Sequence, residues 1–197
     1  MAKGAAGSLV QRGRLESGGG NHWPGKFSVL VGDVLQALGN LAHSWRCRHS
    51  VQVVAITGSN GKTTTKEMTA RILARKFNVL KTEGNWNNLI GLPLMLLKLA
   101  PEHQAAVLEM GMNMPGEIRR LRAIAEPQVS TISNIGHAHL EFLGNLEGVA
   151  RAKGELWEKV GEKDRMRRLD LGQGFPSDAD GTDHQRTGRF IGEGVRT

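Results

Sequence analysis

Residues 51–57 are apolar and run straight into Gly58-Ser59-Asn60-Gly61-Lys62-Thr63-Thr64-Thr65, after which a helical pattern begins. Glycines let a backbone turn tightly around an anion, and the N–H groups at the head of a helix favour negative charge. The expectation is a phosphate loop. Backbone amides of Gly58, Ser59, Asn60, Gly61, Lys62, Thr63 and Thr64 cradle the phosphates of a nucleotide, Lys62 reaches the β- and γ-phosphates, and the Thr63 hydroxyl ligates Mg²⁺. The spacing departs from the general phosphate-loop pattern, which has a glycine where this sequence has Ile56. The motif is a shortened G-x-x-G-K-T form, and a tight turn with a surface lysine is the competing reading.

Further polar residues follow other apolar runs. Glu109-Met110-Gly111-Met112-Asn113 follows 105–108, and Asn134-Ile135-Gly136-His137-Ala138-His139 follows 129–133. In parallel sheets ligands bind beyond the carboxyl ends of the strands, so Thr63, Glu109 and His139 are expected to share one crevice. A carboxylate and a hydroxyl suit Mg²⁺, and an imidazole also suits Mn²⁺. Lys153 falls on an apolar stripe with Val149, Leu156 and Val160. Either its ammonium snorkels to water, or burial lowers its pKa until the neutral amine can add CO₂ as a carbamate, a carboxylate-like metal ligand. Asn88 is a natural helix N-cap, Asn85 and Asn87 could hydrogen-bond a substrate, and Trp86 could pack or stack.

The elements that must position these residues are read from periodicity. Strands are expected at 27–31, 51–57, 78–82, 105–110 and 129–134. Helices are expected after Asp33, over 63–77 through Met68, Ile72 and Leu73, over 89–99 and 116–125, and after Asn145. Alternating strands and helices imply an α/β fold with a mostly parallel sheet and helices on both faces. Four zones follow: an irregular head over 1–26, a linker-like piece over 27–50, the α/β unit over 51–160, and an irregular tail over 161–197 with no strand to continue the sheet.

Composition narrows the function classes. Of 197 residues 39% are hydrophobic, enough for a core, and the formal net charge is +7. The first fifty residues hold six Lys or Arg against two acids, so the basic excess sits mostly in the irregular head, and no nucleic-acid partner is expected. The longest apolar run, 89–100, is broken by Pro93 and Lys98 and is shorter than the about 20 residues of a membrane span. With no apolar leader at the N-terminus, a cytoplasmic monomer is expected. Cys47 is the only cysteine. It can form no disulfide within the chain, no metal cluster is expected around it, and a partly buried residue without chemistry is the plain reading.

Five stretches together resemble the Mur ligase family: T-G-S-N-G-K-T-T-T-K-E (57–67), T-E-G-N-W-N-N-L-I-G-L-P-L (82–94), L-E-M-G-M-N-M-P-G-E-I (108–118), S-N-I-G-H-A-H-L-E (133–141) and A-K-G-E-L (152–156). The third and fifth look most like the branch that adds D-alanyl-D-alanine. The resemblance implies an incomplete central domain of the phosphate-loop NTPase type, preceded by the family's linker, in a family whose members have three domains. It implies that Lys62 and the loop amides bind ATP, that Thr63 and Glu109 hold one Mg²⁺, that His139 helps hold a second, and that Lys153 is the carbamylated lysine. Asn87 and Asn88 would line the substrate cleft. The implied reaction is ATP-driven amide formation between a UDP-MurNAc-peptide and D-Ala-D-Ala in peptidoglycan synthesis. A nucleotide-binding remnant without catalysis, and a sibling ligase of Mur or folylpolyglutamate type, remain alternatives.

Overall fold

The computed structural model describes residues 4–13, 25–137, 140–158 and 167–170. Strands β1 (Gly7–Gln11) and β2 (Phe27–Val31) pair in parallel as a two-stranded ribbon. Helix α1 (Val34–Cys47) follows. Then come β3 (Gln52–Thr57), α2 (Lys62–Leu73), β4 (Val79–Lys81), α3 (Gly91–Leu96), β5 (Ala105–Glu109), α4 (Glu117–Ala125), β6 (Val129–Ile132), α5 (Leu140–Leu143), α6 (Leu146–Gly154) with a 3₁₀ turn at Glu155–Trp157, and β7 (Arg167–Asp170). The main sheet has the order β4-β5-β3-β6-β7, and every neighbouring pair is parallel. Central β3 and β5 are apolar on both faces because the sheet is covered on both sides. Val53, Ala55, Ala106 and Leu108 enter one core, which also contains Ala42, Leu92, Met95, Leu121 and Val149. The intervening Ile56 and Val107 enter a second core with Ala70. Alternate side chains of a strand thus feed opposite layers.

Helix α1, in the segment read as linker-like, packs against α3 and α4. The Asp33 carboxylate caps it by accepting from the Gln36 amide at 2.5 Å. A Cβ at Gly39 would lie 2.8 Å from Ile124 Cδ1, so the glycine lets α1 approach α4 closely. Buried Arg46 donates through Nε to the Ala125 carbonyl at 2.9 Å and through Nη2 to the Glu126 carbonyl at 3.3 Å, satisfying carbonyls at the end of α4.

Three sequence expectations need correction. Part of the supposed irregular head forms β1, whose Leu9 and Val10 are too short an apolar run to stand out among glycines and serines. Part of the supposed strandless tail forms β7, which adds to the sheet beside β6. Its sequence Arg-Arg-Leu-Asp has no apolar alternation, and an edge strand is held by backbone pairing that composition does not report. Finally, Met68 and Ile72 are 60% and 69% exposed, whereas Lys66 and Ala70 are buried. Both pairs have i, i+4 spacing, but they lie on opposite sides of α2.

Candidate functional site

The glycine loop joins β3 to α2 beyond the carboxyl end of the sheet. Gly58 has φ 153° and Gly61 φ 76°, both unfavourable for residues with a Cβ. At Gly58 a Cβ would also stand 1.9 Å from Ser133 Oγ. That close approach exists because the segment after β6 clamps the loop. Ser133 Oγ donates to the Asn60 carbonyl at 2.6 Å, the Asn60 amide donates to Asn134 Oδ1 at 2.8 Å, and Ser59 N donates to the Asn134 carbonyl at 3.1 Å. Ser59 Oγ both donates to the Gly136 carbonyl at 2.8 Å and accepts from the Gly136 amide at 2.9 Å. Lys62 Nζ folds over the loop and donates to the Gly58 carbonyl at 2.8 Å. Helix α2 begins at Gly61 with no side-chain cap, whereas Asp33 and Asn145 cap α1 and α6. The first-turn amides of α2, including those of Thr63 and Thr64, therefore face the loop mouth without a protein cap.

Glu109, at the end of β5, meets the loop. Its carboxylate is buried and accepts from Thr63 Oγ1 at 2.9 Å on one oxygen and from Asn87 Nδ2 at 2.8 Å on the other. The Glu109 amide donates to Thr82 Oγ1 at 2.9 Å, fixing the residue from below. Thr57 Oγ1 donates to the Met110 carbonyl at 2.7 Å, tying the ends of β3 and β5 together. A hydroxyl and a carboxylate held together beside a phosphate-type loop are a donor set that fits Mg²⁺.

The other expected residues separate. Asn87 joins the cluster, but Asn88 turns away: its Oδ1 accepts from the Ile90 and Gly91 amides at 3.1 and 2.8 Å and caps α3. Trp86 is exposed, and its backbone stands so close to Gly91 that a Cβ there would lie 2.5 Å from Trp86 Cα. Its ring also lies under Lys98 Nζ at 4.9 Å. Lys153 on α6 is 3% exposed. Burial, reinforced by the charge of Lys62, brings its ammonium down to about 8. At that exposure the side chain stays among its neighbours rather than extending into solvent as a snorkelling lysine would. His139 lies outside the described residues.

Sequence reasoning passed over three supports. Lys66, one helical turn beyond Lys62 and 2% exposed, donates to the Thr82 carbonyl at 2.8 Å and pairs with Glu67 at 3.0 Å, while Lys81 also pairs with Glu67. It pins α2 to the strand leading to Asn87. Glu155, 5% exposed, accepts from the Gly116 and Arg119 amides at 2.7 and 3.1 Å and so caps α4 from another element. Ser133 and Asn134 form the clamp on the loop. The i, i+4 spacing of Lys62 and Lys66 was a usable signal, whereas the partners of Glu155 are over 30 residues away and left none.

The model of the Mur ligase middle domain matches residues 56–167, more than half of the chain. This chain belongs to the Mur ligase family. It is 47% identical over 128 residues to the UDP-N-acetylmuramoyl-tripeptide–D-alanyl-D-alanine ligase of Bacillus subtilis strain 168, a match covering 65% of this chain and 28% of that protein. Among solved structures it resembles MurF from Acinetobacter baumannii, at 47% identity and TM-score 0.65 over 66% of this chain and 29% of that one. It also resembles MurF ligase from Thermotoga maritima in complex with ADP, at 42% identity and TM-score 0.63 over 66% and 30%. The chain thus spans under a third of the length of these Mur ligase relatives. Among the described residues no helix is long and apolar enough to cross a membrane.

Proposed function

We propose that this chain carries the nucleotide-activating centre of an ATP-dependent amide ligase that joins D-alanyl-D-alanine to UDP-MurNAc-tripeptide in the cytoplasm. One observation carries the reading: Thr63 and Asn87 both hydrogen-bond the buried carboxylate of Glu109 at the mouth of a shortened glycine loop. The names of the relatives support the choice of substrates.

In this reading the amides from Gly58 to Thr64 and the Lys62 ammonium hold the ATP phosphates. Thr63 and Glu109 would hold Mg²⁺, with Asn87 keeping the carboxylate turned toward Thr63. His139, by the family resemblance, would contribute to a second metal position. Bound Mg²⁺ would supply neutralisation of the charge developing on the transferred phosphoryl group. The tripeptide carboxylate attacks the γ-phosphorus and ADP leaves, giving an acyl phosphate. The D-Ala-D-Ala amine then attacks the acyl carbon, phosphate leaves, and the amine proton passes to solvent. Lys62 is placed to stabilise the negative charge on the transferred group. With its pKa brought down to about 8, Lys153 has a neutral fraction that can add CO₂, releasing a proton and leaving a carbamate anion in place of a buried cation.

The second reading is a nucleotide-binding unit that ligates nothing by itself. Phosphate release from Mg²⁺-ATP distinguishes them. The ligase reading expects release that depends on both UDP-MurNAc-tripeptide and D-Ala-D-Ala, and that glutamate does not support. No release despite ATP binding establishes the second reading. Release with glutamate points to a sibling ligase.

A further inference from the structure

Cys47 is exposed, contrary to the expectation of a partly buried residue without chemistry, and it has two metal-ligating neighbours. His43 and Cys47 are one turn apart on α1, so their side chains share a face. Opposite them stands Glu126, the residue that ends α4. Cys47 Sγ lies 3.7 Å from His43 Nε2, and Glu126 Oε1 lies 3.9 Å from the same nitrogen. One ligand atom from each residue falls within 4.8 Å of the others.

Bond lengths of zinc to sulfur, nitrogen and oxygen in a tetrahedral site place S and N about 3.6 Å apart and N and O about 3.3 Å apart. The thiol and imidazole therefore already stand at ligand spacing. The exposed Glu126 side chain has to close by about half an ångström on the imidazole and by up to about 1.2 Å on the sulfur. His43 Nδ1 lies 3.3 Å from the Ile124 carbonyl, and an N–H donated there leaves Nε2 as the free ligand atom. Cys47 Sγ stands 3.7 Å from Nε2 and 4.0 Å from Nδ1, so the sulfur lies to the side of the ring, and the exposed Cys47 side chain must turn toward the Nε2 lone pair to share an ion with it. A backbone partner on the far ring nitrogen is the usual way a metal-binding imidazole is oriented. Glu126 is further distinguished as the one non-glycine residue with positive φ among the described residues, at 43°. Its amide donates to the Arg122 carbonyl at 2.8 Å and its carbonyl accepts from buried Arg46, so the backbone presenting the carboxylate is fixed on both sides.

We infer that His43, Cys47 and Glu126 form a three-ligand site for a divalent cation of the zinc class, with solvent as the fourth ligand. Thiolate and imidazole select zinc-like ions over magnesium. Cys47 gives up its thiol proton to solvent as the sulfur–metal bond forms. The site is separate from the nucleotide crevice. Glu126 precedes β6 and lies at the amino end of the parallel sheet, whereas the glycine loop follows the carboxyl end of β3. A cation there joins α1 to α4 and staples the helix that leads into the sheet.

Cobalt titration of the full chain tests this, because a thiolate-to-cobalt charge-transfer band can come only from Cys47, the single cysteine. The expected result is one Co²⁺ per monomeric chain, displaced by Zn²⁺ and not by Mg²⁺. The band is abolished by Cys47→Ser and weakened at least about tenfold in affinity by His43→Ala and by Glu126→Gln. Zn²⁺ should raise the melting temperature of the wild type and leave that of Cys47→Ser unchanged. Absence of the band in wild-type protein of native circular dichroism would overturn the assignment. So would a band that forms only between two chains, or one that survives both His43→Ala and Glu126→Gln unchanged.

Discussion

Replacing Lys153 by methionine is expected to stabilise the protein while removing a group the proposed chemistry needs. Lys153 is 3% exposed, and burial together with the charge of Lys62 lowers its pKa to about 8. In the unfolded chain the value is about 10.4. Between these two values the unfolded chain holds a proton that the folded chain has lost, so stability rises with pH across that window. Below about pH 8 both states are protonated and the full penalty of a buried ammonium is present, on the order of 3 kcal/mol. Methionine has similar length and no charge, and volume-conserving changes of this kind are well tolerated. Lys153→Met should therefore be more stable than wild type by about 1–3 kcal/mol at neutral pH. The advantage should shrink by up to about 1.4 kcal/mol for each pH unit above 8. Urea unfolding of both proteins at neutral pH and at about pH 9.5, in CO₂-depleted buffer so that no carbamate forms, measures this. Contributions from titrating groups that do not interact with Lys153 are common to both proteins and cancel in the difference. A variant less stable than wild type at neutral pH, or a difference that does not change with pH, would refute the reasoning.

Gly58→Ala should lower stability by about 1–3 kcal/mol and weaken nucleotide binding, because its Cβ would collide with Ser133 Oγ and its φ is positive; melting and ATP titration check it. Glu155→Ala removes the acceptor of the Gly116 and Arg119 amides, and urea unfolding should show a loss of about 1–3 kcal/mol. Asn87→Ala releases one oxygen of Glu109 and should weaken Mg²⁺-dependent nucleotide binding about tenfold with little change in melting temperature, as seen by calorimetry at two magnesium concentrations.

The sheet was legible because 51–57 and 105–109 are apolar on both faces, which only a doubly covered strand requires. The loop was legible because glycines, lysine and threonine occupy consecutive positions. The edges were not. In β7 an Arg-Arg-Leu-Asp strand is defined by its neighbour's backbone, which no local pattern encodes. On α2, Met68 and Ile72 have the same periodicity as the truly buried Lys66 and Ala70, and periodicity cannot say which face is covered. At the site, Asn87 and Asn88 are adjacent and chemically identical. Asn88 was legible as a helix N-cap, and its Oδ1 accepts from the Gly91 amide, whereas only tertiary placement sends Asn87 to Glu109. The neighbours of Cys47 were hidden for the same reason, since Glu126 comes from another helix nearly eighty residues on.

Calorimetric titration of ATP in the presence of Mg²⁺ into wild type, Lys62→Ala and Glu109→Gln tests the central claim most directly. The account predicts saturable one-to-one binding to wild type, loss of it in Lys62→Ala, and in Glu109→Gln a weaker binding that no longer responds to magnesium. Equal heats from wild type and Lys62→Ala would contradict it.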